Sequence, residues 1–147
     1  MALVLRQYQP GDREALVSLW FLCELTRPWN DPYRDIDRKL TRDAPNLVVL
    51  EVDGELVGSV MVGYEGHRGW VNYLAVHPDH QRQGLGRVLM NEAERRLREL
   101  GCAKVNLQIR TSNQTAVEFY RHIGYTVDDV VGMGRRLEDD DSTGGAL

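Results

Sequence analysis

Residues 3–8 (Leu-Val-Leu-Arg-Gln-Tyr) open on three apolar positions before two polar ones and read as a first strand. Pro10-Gly11-Asp12 interrupts it, and Asp12 is a predicted helix N-cap. Ala15, Leu16, Leu19, Trp20 and Cys23 then recur at helical spacing, which predicts a helix to about Leu25. The stretch Arg27-Pro28-Trp29-Asn30-Asp31-Pro32 sets two prolines around polar turn formers and reads as a loop. A charged helix is predicted over Asp35 to Arg42. Leu47–Val52, the turn Asp53-Gly54 and Glu55–Tyr64 spell a hairpin with a primed two-residue turn. Gly66-His67-Arg68-Gly69 turns the chain again, and Trp70–Val76 is a further strand, stopped by His77-Pro78.

Leu85, Leu89, Ala93, Leu97 and Leu100 trace one face of a long helix, which Gly101 closes in a left-handed cap. Val105, Leu107 and Ile109 alternate as a strand. Ser112 or Asn113 caps a last helix to about His122, ended by Gly124. Short strands over Tyr125–Val127 and Val130–Leu137 complete the pattern. Tight turns make consecutive strands antiparallel, whereas the strand–helix–strand unit at 70–109 demands a right-handed parallel crossover. The expectation is one α/β domain (α+β in other schemes) over residues 1–137, with helices on both faces of a mixed, mostly antiparallel sheet. Residues 138–147, acidic and containing Gly144-Gly145, are expected to be a disordered tail.

The 147 residues suffice for one sizeable core. With 42% apolar and 27% charged residues, fibrous and wholly disordered classes fall away. No apolar run approaches the roughly 18 residues of a membrane span, and Met1–Leu5 is too short for a signal peptide's apolar centre. Cys23 and Cys102 show no metal-like spacing, so two reduced thiols in a cytoplasmic protein are expected, with no metal and no membrane partner. The net charge of −4 has the wrong sign for a protein that lives on nucleic acid. It is also uneven. Without Glu138, Asp139, Asp140 and Asp141, acids and bases balance at 18 each.

The candidate chemistry begins at Gln81-Arg82-Gln83-Gly84-Leu85-Gly86, between a strand and the long helix. Glycines there let a backbone approach a ligand, and the free N–H groups of a helix N-terminus bind anions. Residues 79–104 carry six Lys/Arg against four acids, a local +2 that suits a small phosphorylated ligand. The loop lacks the Gly-Lys-Ser/Thr of a P-loop and the dinucleotide G-x-G-x-x-G. A tight strand-to-helix turn would use the same glycines. Downstream, Asn113 and Tyr120 stand seven apart on one helical face, with small Ala116 between them, which reads as a groove.

Together, Val76-His77-Pro78, Gln81-Arg82-Gln83-Gly84-Leu85-Gly86 and Asn113…Ala116…Tyr120…Gly124-Tyr125 resemble the GNAT superfamily of acyl-CoA-dependent N-acetyltransferases. The loops at 27–32 and 63–69 are similar to the small bacterial YpeA-like acetyltransferases. The resemblance implies the GNAT fold with six to seven strands, acetyl-CoA as cosubstrate, and direct acetyl transfer to a primary amine of a small molecule, amino acid or peptide. A protein N-terminal or lysine acetyltransferase, or a non-catalytic acyl-CoA sensor, would be built alike. It implies that Arg82, Gln83, Gly84, Leu85, Gly86 and Arg87 hold the pyrophosphate. Leu74, Ala75 and Val76 would pair with the pantetheine arm, and Asn113 would hydrogen-bond near the thioester. Tyr120 would be the general acid for the departing thiolate. A homodimer is frequent in the family.

The attacking amine must lose a proton. Protein N-terminal alanine acetyltransferases carry a glutamate base where this chain has Gln108, and an amide is no base near neutral pH. Glu65 and His67 are the alternative candidates, and a water relay is the third. In this fold the loop between the first two helices often shapes the acceptor site. Arg27, Trp29, Asn30 and Asp31 are therefore candidate acceptor-binding residues, Arg27 for a carboxylate and Asp31 for an amine.

Overall fold

The structure, a computed structural model, describes residues 1–140. Its strands are β1 (Leu3–Gln7), β2 (Leu47–Val52), β3 (Glu55–Tyr64), β4 (Gly69–Val76) and β5 (Val105–Asn106). Its helices are α1 (Arg13–Leu22), α2 (Pro32–Asp43), α3 (Leu85–Glu99) and α4 (Gln114–His122). The strands form one sheet in chain order, antiparallel from β1 to β4 and parallel between β4 and β5. The parallel crossover through α3 is the one the sequence demands.

Strand β2 is buried on both faces, and its side chains divide the core in two. Val48, Leu50 and Val52 pack with Leu85, Leu89, Met90, Ala93 and Leu97, on the side covered by α3 and α4. Leu47 and Val49 pack with Leu16, Leu19, Trp20 and Ile36, under α1 and α2. The hairpin turn places Asp53 at φ 51° and Gly54 at φ 85°, the left-handed pair that a type I′ turn needs.

Several local expectations change. Helix α1 stops at Leu22 because Glu24 enters the left-handed region (φ 59°). The Leu25 N–H then bonds back to the Trp20 carbonyl at 2.9 Å, as in a Schellman turn. Asp12 stands at the N-cap of α1 without capping it. Its carboxylate takes the Gln9 N–H and the Arg6 guanidinium instead. Helix α2 starts earlier than expected, on Pro32 at its first position, with the Asp31 carboxylate accepting from the Tyr33 N–H.

The sheet has five strands among the described residues, not six to seven. Strand β5 pairs only at Gly69↔Val105 and Trp70↔Asn106. Residues 125–137 form no strand: β5 leaves the ladder after Asn106, so no edge templates their alternation. Val127, Val130, Val131, Met133 and Leu137 are accordingly exposed. The acidic segment is docked as far as Asp140, and the rest of the expected tail lies outside the described residues. Among the described residues no helix is long and apolar enough to cross a membrane.

Candidate active site

Strands β4 and β5 part after their second pair, and the cause is visible in β4. The β3–β4 register slips between Ser59 and Met61, opposite a Tyr73 held at φ 51°. A bulge of this kind bends and twists a strand. Three contacts hold Tyr73 there. Its ring stacks on Trp20 at 3.7 Å, its carbonyl accepts from Ser59 Oγ at 2.8 Å, and the Trp20 indole N–H donates to that same Oγ at 2.9 Å. The second half of β4, which holds Leu74, Ala75 and Val76, thereby loses β5 as a neighbour. The Val76 carbonyl already accepts from Gln81 Nε2 at 3.0 Å and from the Cys23 thiol at 3.2 Å. Burial pushes the Cys23 thiol above its ordinary pKa, so it stays a donor.

Past Val76 the chain turns through Pro78–His80 into the glycine loop. Arg82 (φ 64°) and Gly84 (φ 78°) both lie in the left-handed region, the conformation that makes concave N–H arrays. Gly84 is the N-cap of α3, and a Cβ built on it would meet nothing within 4 Å. The first intrahelical bond is Val88 N–H to the Gly84 carbonyl, so the N–H groups of Leu85, Gly86 and Arg87 have no helical acceptor. No acid stands in the first turn of α3. Gly86 serves a different need: a Cβ there would lie 2.9 Å from the Phe119 ring, so its hydrogen lets α4 pack against α3.

The positive charge is more localised than the sequence count suggests. Arg95, Arg96 and Arg98 pair with Glu92, Glu94 and Glu99, and Lys104 pairs with Asp128. Arg82 and Arg87 remain exposed beside the free N–H groups, with no ion pair among the described residues. Two polar atoms near the loop and the strand fork, His80 Nδ1 and Asn106 Oδ1, are buried without a partner among the described residues. A loop of free donors and two free cations suits a phosphate-bearing ligand, and the parted strands offer its arm a backbone edge.

Asn113 caps α4, its Oδ1 accepting from the Ala116 N–H at 3.1 Å, so only its NH₂ group is left for a ligand. Tyr120 is half-buried in the α3 side of the core, between Phe119 and Tyr125. Its hydroxyl has no hydrogen bond among the described residues, whereas the neighbouring Tyr125 hydroxyl donates to Glu94 at 2.7 Å. Burial alone pushes the Tyr120 phenol above its ordinary value, so it stays protonated through the neutral range.

Glu65 and His67 are not brought to this place. They lie in the β3–β4 turn, at the end of β4 where β5 is still paired, about 20 Å of strand from Ala75 at roughly 3.3 Å per residue. The Glu65 carboxylate accepts the N–H groups of His67 and Arg68, and these bonds hold its pKa below the ordinary range. That makes it a turn brace and a weak base.

The α1–α2 loop divides as well. Arg27 donates to the carbonyls of Glu24 and Thr26, and Asp31 caps α2, so both serve the loop itself. Trp29 and Asn30 line an open cleft of about 730 Å³ with Arg38, Gln108, Arg135 and Arg136. The Arg110 guanidinium lies over the Trp29 ring at 5.3 Å. Asn30 Nδ2 donates to the Tyr73 hydroxyl at 3.1 Å, and that hydroxyl donates to Asp35 at 2.7 Å. The cleft thus touches the bulge of β4 through Asn30. Tyr73, Asp35, Arg38 and Arg136 were missed from sequence. The left-handed φ of Tyr73 has no sequence signature, and Arg136 lies 106 residues from Asn30.

The chain matches the model of the Acetyltransferase (GNAT) family over residues 14–125. It is 43% identical over 136 residues to an acetyltransferase of Pectobacterium atrosepticum, covering 92% of this chain and 96% of that one. Among solved structures it resembles Ard1 from Thermoplasma volcanium, with a TM-score of 0.78 at 24% identity over 87% of this chain and 85% of that one. It also resembles the PaiA N-acetyltransferase from Thermoplasma acidophilum in complex with coenzyme A, with a TM-score of 0.76 at 17% identity over 90% and 94%. Match, identity and fold agree with the strand fork, the glycine loop and the Tyr120 helix, and the chain belongs to the GNAT family of N-acetyltransferases.

Proposed function

We propose that the chain transfers the acetyl group of acetyl-CoA directly to a primary amine of a small molecule, amino acid or peptide. The observation that carries this is the open edge of β4 ending beside the uncompensated N-terminus of α3. The N–H groups of Leu85, Gly86 and Arg87 and the charges of Arg82 and Arg87 bind the diphosphate of the cosubstrate. Leu74 and Ala75 offer backbone groups to its peptide-like arm, and the Asn113 NH₂ group donates to it. Bound acetyl-CoA supplies an acetyl group activated as a thioester.

Backbone N–H groups after the bulge polarise the carbonyl under attack, as oxyanion sites do. Tyr120 holds a proton on its phenol oxygen for the leaving sulfur. Its unpartnered hydroxyl and raised pKa support that role, because the proton is neither shared with the protein nor lost near neutrality. The amine enters through the cleft of Trp29, Asn30 and Gln108 and loses its proton to water there, since Glu65 and His67 stand at the far end of β4.

The test is Tyr120→Phe, assayed by CoA release over a panel of amines and peptides. No protein hydrogen bond is lost, so stability should change by less than about 0.5 kcal/mol. Turnover should fall about 10- to 1000-fold with the KM for acetyl-CoA nearly unchanged. Equal loss of turnover and affinity would remove the assigned role. Acetyl-CoA binding without CoA release on any amine would point to a sensor.

A further inference from the structure

The segment after residue 125 is held to the body in an unusual way. Every residue from Thr126 to Asp139 is exposed, and Asp140 is then buried, its side chain only 1% accessible. A segment that docks for stability buries apolar side chains. Here Leu137 is 95% exposed, and the group that goes inside is a carboxylate.

That carboxylate sits against the first turns of α2 and against Arg136 of its own segment. Arg38 grips it in a fork, Nη2 at 2.7 Å and Nη1 at 3.1 Å. The Asp31 N–H, at the start of α2, donates at 2.9 Å. Arg136 Nη2 lies at 3.4 Å and Arg34 Nη1 at 3.7 Å. Arg34 and Arg38 are one helical turn apart on α2 and face the same way. Glu138 adds a looser carboxylate, 2.8 Å from Arg34 Nη1 and 64% exposed. The pull on Asp140, from Arg38 first and the Asp31 N–H second, holds its pKa far below the ordinary range. A forked guanidinium with a backbone donor is the chemistry that recognises a free carboxylate.

The location gives this chemistry a use. Arg38, Arg135 and Arg136 line the acceptor cleft with Glu138, so cations outnumber carboxylates on its wall. The same Arg38 Nη1 that reaches Asp140 also reaches Asp35 at 3.0 Å, the partner of the Tyr73 hydroxyl. Arg136 Nη1 donates to Asn30 Oδ1 at 3.2 Å. The seat of Asp140 is therefore one side chain away from the bulge of β4.

We propose that Arg34, Arg38, Arg136 and the Asp31 N–H form a carboxylate-binding site of the acceptor cleft. Asp140 fills it in cis, and amines that carry a carboxylate enter by displacing Asp140. The cleft's acceptor role rests on the acetyl-transfer reading; the anion site does not. A tethered carboxylate that leaves the seat open about one-tenth of the time weakens a free competitor about tenfold.

The experiment titrates the full chain with glutarate and with the uncharged glutaramide, by calorimetry. It compares the wild type with Asp140→Asn, which keeps the side chain's shape, and with Asp140→Ala. Glutarate should bind both variants about tenfold more tightly than the wild type, and glutaramide should bind none. Adding Arg136→Gln to Asp140→Asn should cost at least threefold of the gained affinity. Equal glutarate affinity in wild type and Asp140→Asn, or no binding to that folded variant, would reduce Asp140 to a clamp and overturn the proposal. The titration needs no turnover. Absence of CoA release from every amine would count against acetyl transfer and leave the binding result to decide the anion site.

Discussion

Gly86→Ala isolates the packing that sets Tyr120 in place. Gly86 lies inside α3, where alanine is intrinsically favoured over glycine by up to about 1 kcal/mol, so propensity alone would make the change stabilising. The structure reverses the sign. The added methyl would lie 2.9 Å from Phe119 Cζ, closer than real Cβ contacts allow, and a tight 3.1 Å from Cε1. Phe119 packs against the α3-side core and meets the Tyr120 ring edge-on at 5.1 Å, which limits how far it can yield. Overpacking of this kind costs about 1–3 kcal/mol. Set against the propensity gain, a net loss of about 1–2 kcal/mol is expected. For a chain of this length that lowers Tm by about 3–8 °C. The check is a double-mutant cycle with Phe119→Ala, read by urea unfolding. Without the ring, Gly86→Ala should be neutral or stabilising, a coupling of at least about 1 kcal/mol. Gly84→Ala, costly through its φ of 78° in open space, should show no such coupling. If Gly86→Ala costs the same in both backgrounds, within about 0.5 kcal/mol, Phe119 is not what the glycine accommodates.

Two further outcomes are expected. Arg82→Gln and Arg87→Gln should each raise the KM for acetyl-CoA about 3- to 10-fold at low salt and less at high salt, because both charges are exposed. Arg95→Gln, whose charge is already paired with Glu92 and Glu99, should leave that KM unchanged; equal effects from all three would erase the assignment. Asp12→Asn should alter the acid limb of stability. Arg6 holds the Asp12 carboxylate below its ordinary 3.8, so the pair contributes stability that is complete above about pH 5 and is lost as pH falls through the depressed value. Urea midpoints of wild type and variant should therefore differ by a constant amount from pH 5 to 7 and converge below pH 4. A difference that grows on acidification would contradict the ion pair.

What was legible in the sequence was what short-range chemistry decides. The Asp53-Gly54 turn, the Gly101 and Gly124 helix ends and the Leu85-to-Leu97 stripe need only neighbours a few residues away, and the structure has them. The glycine loop is of the same kind: a strand, a glycine turn and a helix start in one short stretch. Where a side chain had two local uses, sequence could not choose. Asp12 could cap α1 or brace Arg6, and Asn113 could bind a ligand or cap α4. The failed strands after residue 124 belong to a third kind. Alternation there was real, but a strand needs an edge, and the departure of β5 after Asn106 takes that edge away.

Charge obeys the same division. Glu92 and Arg96 are four apart on a helix, and so are Arg95 and Glu99, so the pairing that neutralises these four side chains and leaves the local +2 to others was already implicit in their spacing. Subtracting those pairs, with Arg98–Glu94 and Lys104–Asp128, concentrates the positive charge at Arg82 and Arg87, beside the uncapped N–H groups at the start of α3. The acids at the C-terminal end run the other way. Read by composition they are solvated and inert, with only Arg135 and Arg136 close by in the chain. The groups that do oppose Asp140 on α2 lie 102 residues or more upstream, at Arg38 and at the Asp31 N–H. A net charge of −4 thus hides two separate neutralisations. One leaves Arg82 and Arg87 free beside the N–H groups that open α3. The other sets Asp140 against Arg38 and Arg136 in the cleft of Trp29 and Asn30, so on the proposed reading an acidic amine binds there only as tightly as it can displace Asp140.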